Sequence, residues 1–390
     1  MTRITFVTWD GGGNTPPAVG IAQELIARGN EVRFLGYLPQ RTAIESRGLA
    51  FSALRRSGNF DLYAERVPEK RIPAIIRNVW ACPEHLKDIP DDLAAHPADV
   101  LVIDFLMQGA LAQARRTDVP VAVLAHSTVA GIVPPPSSPM GAARLAAANT
   151  FRATIGLPRM ERLNDAWDGL PTIVTTIAEL DPAADDAPKT MHYVGPVAER
   201  IPLSTWDSPW ATNDPRPLVL VSFSTTRLWD PASRIRNTLA ALADEPVRVL
   251  LIAGGDSLPP GLPANATVRP FIPHAVVLPS VSAIVTHCGH GTVTASLAHG
   301  VPIAGLPYPA ADQPFLASRI QVLGAGVAMD GESSPTIIKS AVRDLLDQPS
   351  FREAATNLGK AIRAAPGAGG AADMLKQLAR HRDSKAQPAV

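Results

Sequence analysis

The chain has 390 residues, of which 46% are hydrophobic and 18% are charged, so it has enough apolar sequence for the cores of two domains. The formal net charge is zero, which argues against a general nucleic-acid-binding protein. No apolar run approaches the roughly 20 residues of a membrane span, and two cysteines make no disulfide framework, so we expect a cytoplasmic protein.

Short runs of β-forming residues alternate with longer Ala- and Leu-rich segments along the chain. The first run, 3–9, is too short for the core of a signal peptide and predicts a strand. Continuous apolar strands separated by helices are typical of parallel sheets covered on both faces, so we predict an α/β fold with two doubly wound, Rossmann-like domains. The predicted strands are 3–9, 31–36, 99–104, 120–125 and 172–176, then 217–223, 247–253, 267–271, 283–287 and 301–306, and the predicted helices are 17–29, 107–117, 232–243, 291–299, 314–323 and 335–346.

A polar, proline-rich stretch near 198–216 predicts the domain boundary. The Pro- and Gly-containing run 364–370 predicts a break before a last helix. The expected parts are an N-terminal domain at 1–205, a C-terminal domain at 206–370, and at 371–390 a helix that packs back on the first domain, followed by a frayed tail. Within the first domain, Pro134–Pro139 predicts an exposed loop, and 51–95 predicts loops and short helices.

The most informative motif is Thr286-His287-Cys288-Gly289-His290-Gly291-Thr292, at the end of a predicted strand and the start of a predicted helix. Strand, glycine turn and helix start together make an anion site, because glycines allow close backbone approach and the helix dipole favours negative charge. His287 adds a side-chain donor at the same place. Asp312-Gln313 follows one strand and one loop later and suits the hydroxyls of a sugar. A phosphate site with a hydroxyl site predicts a nucleotide sugar as the ligand.

The glycine turn admits other interpretations. A tight strand-to-helix connection without any ligand stays open for the turn taken alone. The turn lacks the G-x-G-x-x-G spacing of a dinucleotide site and the lysine of a P-loop. His287, Cys288 and His290 lack a fourth ligand at a usual spacing, so no metal is expected.

The C-terminal half resembles the family 1 glycosyltransferases, which glycosylate natural products and other small molecules. Residues 268–319 are similar to the donor-binding signature of that family, and the similarity extends more weakly over the whole chain. The resemblance implies a GT-B fold of the bacterial natural-product type, with two Rossmann-like domains facing across a cleft. The matching segments are Val268–His274, Leu278-Pro279, Thr286–Thr292, Gly300–Pro302 and Asp312–Pro314, with weaker matches at Tyr193–Pro196 and Val221–Thr225.

The resemblance implies a role for each matching residue around the donor phosphates. His287 matches the histidine that hydrogen-bonds the diphosphate. The backbone at Gly289, Gly291 and Thr292 matches the cradle at the helix start. These residues would stabilise the charge that builds on the leaving diphosphate.

The resemblance also implies contacts to the rest of the donor. Phe271 stands where the family usually has Trp beside the nucleobase, and Ile272 would offer its backbone to the base edge. Thr225, with Ser224 close by, matches a residue that reaches a phosphate, and Asp312-Gln313 matches the pair that holds the sugar hydroxyls. Packing alone for Phe271 and capping alone for Thr225 stay open.

The first domain departs from the family pattern at the catalytic position. The family commonly reads Gly-His-Val-x-Pro after its first strand, with the histidine as general base. When the chain is anchored on Glu24–Val32, the corresponding segment is Gly13–Pro17, so the histidine is replaced by Asn14, whose neutral amide cannot take a proton. The usual acidic partner of that histidine is retained as Asp104, for which capping of the following helix is the alternative.

Several hypotheses accommodate an asparagine at this place. Asp104 acts as the base itself while Asn14 orients the acceptor, or Asp10 at the end of the first strand does so. His126, which follows the strand 120–125, is a further candidate, although a lone histidine there is more often a loop or core residue. An acidic acceptor such as a phenol needs little help, and attack by carbon or nitrogen places a different demand on a base. In the last hypothesis the protein binds nucleotide sugar without transferring it.

We therefore expect a metal-independent, inverting transferase that moves a sugar from a UDP- or dTDP-sugar to a small, partly apolar acceptor, with O-linkage, in antibiotic or other natural-product biosynthesis. No cofactor, nucleic-acid partner or membrane span is expected, and a homodimer is left open. C- or N-glycosyl transfer, a nucleotide-sugar 2-epimerase and a non-catalytic helper protein are the alternatives.

Overall fold

The computed structural model describes residues 1–64, 68–202, 205–223, 229–253, 261–309 and 312–386. The chain forms two compact units. Unit 1 comprises Met1–Ala178, Ala183–Arg200 and the chain from Pro366 onward, and unit 2 comprises Glu179–Pro182 and Ile201–Ala365. Each unit is built on one parallel sheet, which confirms the predicted α/β fold class.

The sheet of unit 1 has seven parallel strands. They are β1 (Arg3–Val7), β2 (Glu31–Gly36), β3 (Ala50–Ala53), β4 (Val100–Asp104), β5 (Val121–Ala125), β6 (Thr172–Val174) and β7 (Met191–Tyr193). Their order in the sheet is β3-β2-β1-β4-β5-β6-β7. The order reverses between β1 and β4, so their carboxyl ends form the topological switch point at which open α/β sheets bind ligands.

Helices surround this sheet, and the continuous burial of β4 and β5 follows from their cover on both faces. Pro16 and Pro17 begin the first helix, where their missing N–H groups cost nothing. The helices before unit 2 are α1 (Thr15–Ala27), α2 (Arg41–Glu45), α3 (Pro68–Ile75), α4 (His85–Ala95), α5 (Gln108–Leu111), α6 (Val129–Ile132) and α7 (Pro139–Thr154).

The sheet of unit 2 has six parallel strands. They are β8 (Leu218–Ser222), β9 (Arg248–Ile252), β10 (Ala266–Arg269), β11 (Ala283–Thr286), β12 (Ile303–Gly305) and β13 (Gly326–Ala328). The order β10-β9-β8-β11-β12-β13 reverses between β8 and β11, so the switch point of this sheet lies where those two strands end.

The helices of unit 2 cover both faces of this sheet. The spacing of Ile338, Ala341, Val342 and Leu345 puts one apolar stripe of a helix against the core, and all four are buried. The helices are α8 (Ala232–Leu242), α9 (His274–Val277), α10 (His290–Ala298), α11 (Gln313–Val322), α12 (Pro335–Asp347) and α13 (Pro349–Ala364). Within the part of the chain that the structure describes, no helix is both long and apolar enough to cross a bilayer.

The last helix, α14 (Gly367–Ala386), belongs to unit 1. Its Ala371, Ala372 and Leu375 are buried in the same core as Ile21 and Leu25 of α1. The helix begins at Gly367, before the predicted start at 371. Glycines in its first turn are tolerated because tertiary packing outweighs their low helix propensity. Residues 387–390, predicted as a frayed tail, lie outside the described residues.

Several elements differ from the sequence-based prediction. The unpredicted strands β3, β7 and β13 are three or four residues long and all lie at sheet edges, where a strand needs no continuous apolar run. The predicted helix 107–117 is the short α5 followed by a 3₁₀ turn. Helix α13 was not predicted because its buried residues, Ala355 and Gly359, are too small to make an apolar stripe.

Candidate functional site

The glycine turn lies at the switch point of the unit 2 sheet. Thr286, at the end of β11, pairs with Ser222, at the end of β8. The turn begins at His287, and α10 begins at His290. Cys288 has a φ of 62°, in the left-handed region, and no other non-glycine residue among those described has a positive φ. Such strain persists where the surroundings impose the conformation, and it concentrates at functional sites. Complete burial of Cys288 supplies that constraint.

His287 is buried at this turn and is electrically neutral under ordinary conditions. Burial lowers its pKa to about 4, the positive charges of Arg234 and His274 add to this, and a hydrogen bond with the Ser222 backbone opposes it. Its Nδ1 lies 3.4 Å from Oγ1 of Thr286. A neutral imidazole offers one N–H donor without carrying a charge, and the helix start beside it supplies the positive potential.

The two glycines of the turn have different surroundings. A Cβ at Gly289 would lie 2.6 Å from Nε2 of His287, so glycine is needed for the imidazole to sit where it does. A Cβ at Gly291 would meet nothing within 4 Å, so the helix start is open on that side. The first helical bond of α10 runs from the N–H of Val293 to the carbonyl of Gly289, which leaves the earlier N–H groups, including that of half-buried Thr292, without a helical acceptor. This is the geometry of an anion site.

The predicted sugar-binding pair lies at the start of α11, with Asp312 directly before the helix and Gln313 as its first residue. Gln313 is buried, and its Oε1 accepts a hydrogen bond from the N–H of Tyr308 at 3.0 Å, so the amide end of its side chain remains for a ligand. Half-buried Asp312 directly precedes α11. The Tyr308 ring stacks on the Trp229 ring with 5.2 Å between their centroids. The guanidinium of Arg234 lies over the Tyr308 ring, 3.9 Å from its centroid. Sequence reasoning missed these aromatic residues, although Tyr308 stands at the carboxyl end of a predicted strand.

The predicted nucleobase contact lies at the end of β10. Phe271 is 65% exposed, which is unusual for a large aromatic side chain and leaves a flat apolar face available. Ile272 beside it is buried. Within the described residues, the backbone N–H and C=O of Ile272 take no part in the hydrogen bonds of the turns and loops. Ser224 and Thr225, the predicted phosphate contacts after β8, lie outside the described residues.

In unit 1 the structure brings Asn14 and Asp104 together at the switch point. Nδ2 of Asn14 donates to Oδ2 of Asp104 at 3.0 Å and to the carbonyl of Trp9 at 2.8 Å. Oδ1 of Asn14 accepts from the N–H of Gly11 at 2.9 Å. Oδ1 of Asp104 accepts from Nε1 of Trp9 at 3.3 Å and from the N–H of Leu106 at 2.9 Å. Both side chains are almost fully buried.

Two further side chains reach this cluster. Nδ1 of His126, just after β5, lies 3.4 Å from Oδ2 of Asp104. The guanidinium of Arg144 lies 4.7 Å from the centroid of the Trp80 ring, and its Nη1 donates to the carbonyl of Ile132. Burial lowers the pKa of Arg144 to about 10, against the opposing effect of the Asp104 charge. Arg144 carried no signal in the sequence, because α7 was not predicted.

Asp10 lies at the mouth of a neighbouring pocket. Its Oδ1 accepts a hydrogen bond from the N–H of Gly12 at 3.2 Å. Burial raises its pKa, the Gly12 hydrogen bond opposes this, and the charge of Asp61 adds to it. The pocket is lined mainly by aromatic and apolar side chains, including Trp9, Tyr37, Phe60, Tyr63 and Val79, with Asp10, Gln40 and Asp61 as its polar lining. No three His, Cys, Asp or Glu side chains within the described ranges group closely enough to hold a metal ion.

Known proteins resemble this chain over almost its whole length. Residues 235–378 match the family described as erythromycin biosynthesis protein CIII-like, C-terminal domain. The 4'-demethylrebeccamycin synthase of Lentzea aerocolonigenes is 29% identical over 96% of this chain and 99% of its own. The demethyllactenocin mycarosyltransferase of Streptomyces fradiae is 28% identical over 97% of this chain and 87% of its own.

Solved structures show the same fold. The glycotransferase of kitacinnamycin matches with a TM-score of 0.79 and 22% identity over 97% of this chain and 99% of its own. CalG4, the calicheamicin glycosyltransferase, matches with a TM-score of 0.77 and 22% identity over 98% and 99% of the two chains. Residues 235–378 thus match an EryCIII-like C-terminal domain, the chain has the GT-B fold, and it is a nucleotide-sugar glycosyltransferase similar to those of antibiotic biosynthesis.

Proposed function

We propose that this glycosyltransferase moves a sugar from a pyrimidine nucleoside diphosphate sugar to a small, partly apolar acceptor in antibiotic or related natural-product biosynthesis, with O-linkage and inversion at the anomeric carbon. The observation that carries the proposal is the turn at the unit 2 switch point. There the buried, neutral His287, the strained Cys288 and the open helix start at Gly291 lie within five consecutive residues.

Thymidine is the proposed nucleoside. A TDP-daunosamine transferase of Streptomyces peucetius is 34% identical to this chain over 201 residues, covering 49% of this chain and 45% of its own. The exposed ring of Phe271 suits stacking on a pyrimidine base. The alternative base, uracil, lacks one methyl group, which contributes about 1 kcal/mol when it contacts an apolar wall, and UDP also carries a ribose 2′-hydroxyl that dTDP lacks.

His287 would assist the departure of the diphosphate as a neutral hydrogen-bond donor. As the bond from the anomeric carbon to the diphosphate breaks, negative charge grows on the β-phosphate. The N–H of neutral His287 and the first-turn N–H groups after Gly289 would donate to those oxygens. Because these donors are fixed before the reaction starts, they need no reorganisation as the charge develops.

The acceptor is proposed to bind in the aromatic pocket of unit 1. Trp9 links this pocket to the Asn14–Asp104 pair, since its ring lines the pocket while its Nε1 donates to Asp104. The pocket has a volume of about 20 Å³, so it would have to widen to admit an acceptor, and the half-buried rings of Phe60 and Tyr63 suit an aromatic or polyketide-like surface. Residues 1–205 would therefore serve the acceptor and 206–370 the donor.

Calorimetric titration of the metal-free protein with dTDP, UDP, GDP and NAD tests the donor site. We expect dTDP to bind, and His287→Ala to weaken binding about tenfold or more, since a hydrogen bond to a charged group is worth about 1.5–3 kcal/mol. The matched control is His299→Ala, because His299 is exposed at the other end of α10. Absence of dTDP and UDP binding, or equal binding by both variants, would remove the proposed site.

Product analysis separates the remaining alternatives. A 2-epimerase would convert the donor sugar with no acceptor present, and a helper protein would bind nucleotide without consuming its sugar. C-transfer would leave a product that resists the acid hydrolysis that cleaves O-glycosides, and N-transfer would be identified by the nitrogen bonded to the anomeric carbon in the NMR spectrum of the product.

A further inference from the structure

We infer that His126 is the general base of the transfer, with Asp104 and Asn14 as positioning residues. The inference rests on the proposed transfer reaction and assigns its proton acceptor. It replaces the hypothesis that Asp104 takes the proton directly.

The carboxylate of Asp104 is already occupied. Oδ1 accepts two N–H donors, from Trp9 and Leu106, and Oδ2 accepts one from Asn14 while facing Nδ1 of His126. A carboxylate has about four lone-pair positions; three are taken by these donors, and the remaining one on Oδ2 faces His126. The residue is also only 3% exposed. Asp104 therefore acts on the reaction through a neighbour.

The amide of Asn14 is equally occupied. Its NH₂ group donates to Trp9 and Asp104, and its oxygen accepts from Gly11. A neutral histidine at this place has one N–H and would leave either the Trp9 carbonyl or the Asp104 carboxylate without its donor. Asn14 therefore fixes the carboxylate and the end of β1, and it has no proton-accepting role.

His126 lies beside Asp104, and its side chain is 16% exposed, so part of the ring is reachable from outside the core. Strands β4 and β5 are neighbours, with Asp104 paired to Leu124, so His126 directly after β5 comes to the same edge of the sheet. Its ring packs on Phe105 at 5.1 Å between centroids, which restricts its rotation. Nδ1 lies within reach of Oδ2 of Asp104 but is not aligned for a hydrogen bond. Catalytic hydrogen bonds are often long in the absence of substrate and tighten in the complex.

The proton transfer follows from this arrangement. With Nδ1–H directed at Asp104, the lone pair on Nε2 takes the proton of the acceptor hydroxyl as its oxygen bonds to the anomeric carbon. The bond from that carbon to the diphosphate breaks, and its electron pair leaves with the β-phosphate. Asp104 stabilises the imidazolium that forms, as the carboxylate of a catalytic triad does.

The first test is the protonation pattern of His126 in protein labelled with ¹⁵N-histidine, assigned with His126→Gln. We expect Nδ1 protonated and Nε2 unprotonated in the neutral ring, and loss of that preference in Asp104→Asn. An Nε2-protonated ring, or a tautomer unchanged in Asp104→Asn, would overturn the assignment. This readout needs no substrate, so it stands apart from any failure of the proposed function.

The second test is turnover of dTDP-glucose to dTDP with 2-phenylethanol, an alcohol probe that depends on a base because it is not acidic, and with water alone. We expect His126→Gln to lower kcat about 10²- to 10⁴-fold while the dTDP dissociation constant stays unchanged. The control is His192→Gln, since His192 is exposed on the edge strand β7. A kcat within about threefold of the unmodified protein would overturn the assignment, and a larger loss in Asp10→Asn would move it to Asp10. Absence of dTDP binding would instead refute the proposed function.

Discussion

Replacing Asn14 by alanine tests the cluster at the carboxyl ends of β1 and β4. The substitution removes the hydrogen bonds to Gly11 N–H, the Trp9 carbonyl and the Asp104 carboxylate, at a site that is 1% exposed. A neutral hydrogen bond contributes about 1 kcal/mol and one to a charged group about 2 kcal/mol, and water cannot replace the lost partners in a buried site. We therefore expect unit 1 to lose about 3–4 kcal/mol of unfolding free energy.

The assay must separate the two units, because a two-unit protein does not unfold in one step. Pulsed hydrogen exchange across a urea series, read by mass spectrometry of peptides from unit 1, gives a midpoint for that unit alone. The control is Asn59→Ala, at an exposed asparagine of the same unit, for which we expect a change within about 0.5 kcal/mol.

A shift for Asn14→Ala no larger than that of the control would refute the proposed network. Asn14→Asp sharpens the test, because it places a second carboxylate beside Asp104 and an oxygen opposite the Trp9 carbonyl. Two carboxylates at this distance cannot both ionise cheaply. We expect this variant to be less stable than Asn14→Ala at neutral pH and to recover as the pH falls.

Three further predictions concern unit 2 and the thiols. Because burial lowers the pKa of His287 to about 4, the unfolded chain binds a proton at this histidine at a higher pH than folded unit 2 does. The unfolding free energy of unit 2 should therefore fall by up to about 1.4 kcal/mol per pH unit from pH 6.5 towards 4. This pH dependence should be absent from the urea midpoints of His287→Gln. Gly289→Ala should weaken dTDP binding in calorimetry as His287→Ala does, since its Cβ would displace the imidazole, whereas Gly261→Ala, in open space, should not. Burial raises the pKa of Cys82 and Cys288, so neither thiol should react with Ellman's reagent before unfolding; rapid labelling of the native protein would contradict this.

Local patterns sufficed for the central strands and the amphipathic helices. Strands such as β4 and β8 are buried on both faces, so their whole length is apolar and visible in the sequence. The edge strands β3, β7 and β13 escaped prediction because they are short and depend on a neighbouring strand, and α13 was missed as well. In α13, a Cβ on Gly359 would lie 2.2 Å from the carbonyl oxygen of Leu297, so the close approach itself requires a small residue.

The donor turn was also visible locally, because strand end, glycines and helix start are consecutive in sequence. The environment of each side chain was not. The neutral state of His287 depends on burial and on the charge of Arg234, and the ring of Tyr308 is held between Trp229 and Arg234, all of which are distant in the chain. Burial and partner geometry set these properties, and neither is encoded in a short segment.

By itself the sequence determined the two α/β domains, the glycine turn after β11 and the replacement of the usual histidine by Asn14, because each of these is specified by consecutive residues. Only the tertiary structure decided which strands are neighbours, and therefore that β5 carries His126 to Asp104. The physical reason is that hydrophobic periodicity specifies how a segment is buried, whereas strand order is fixed by the packing of the whole sheet.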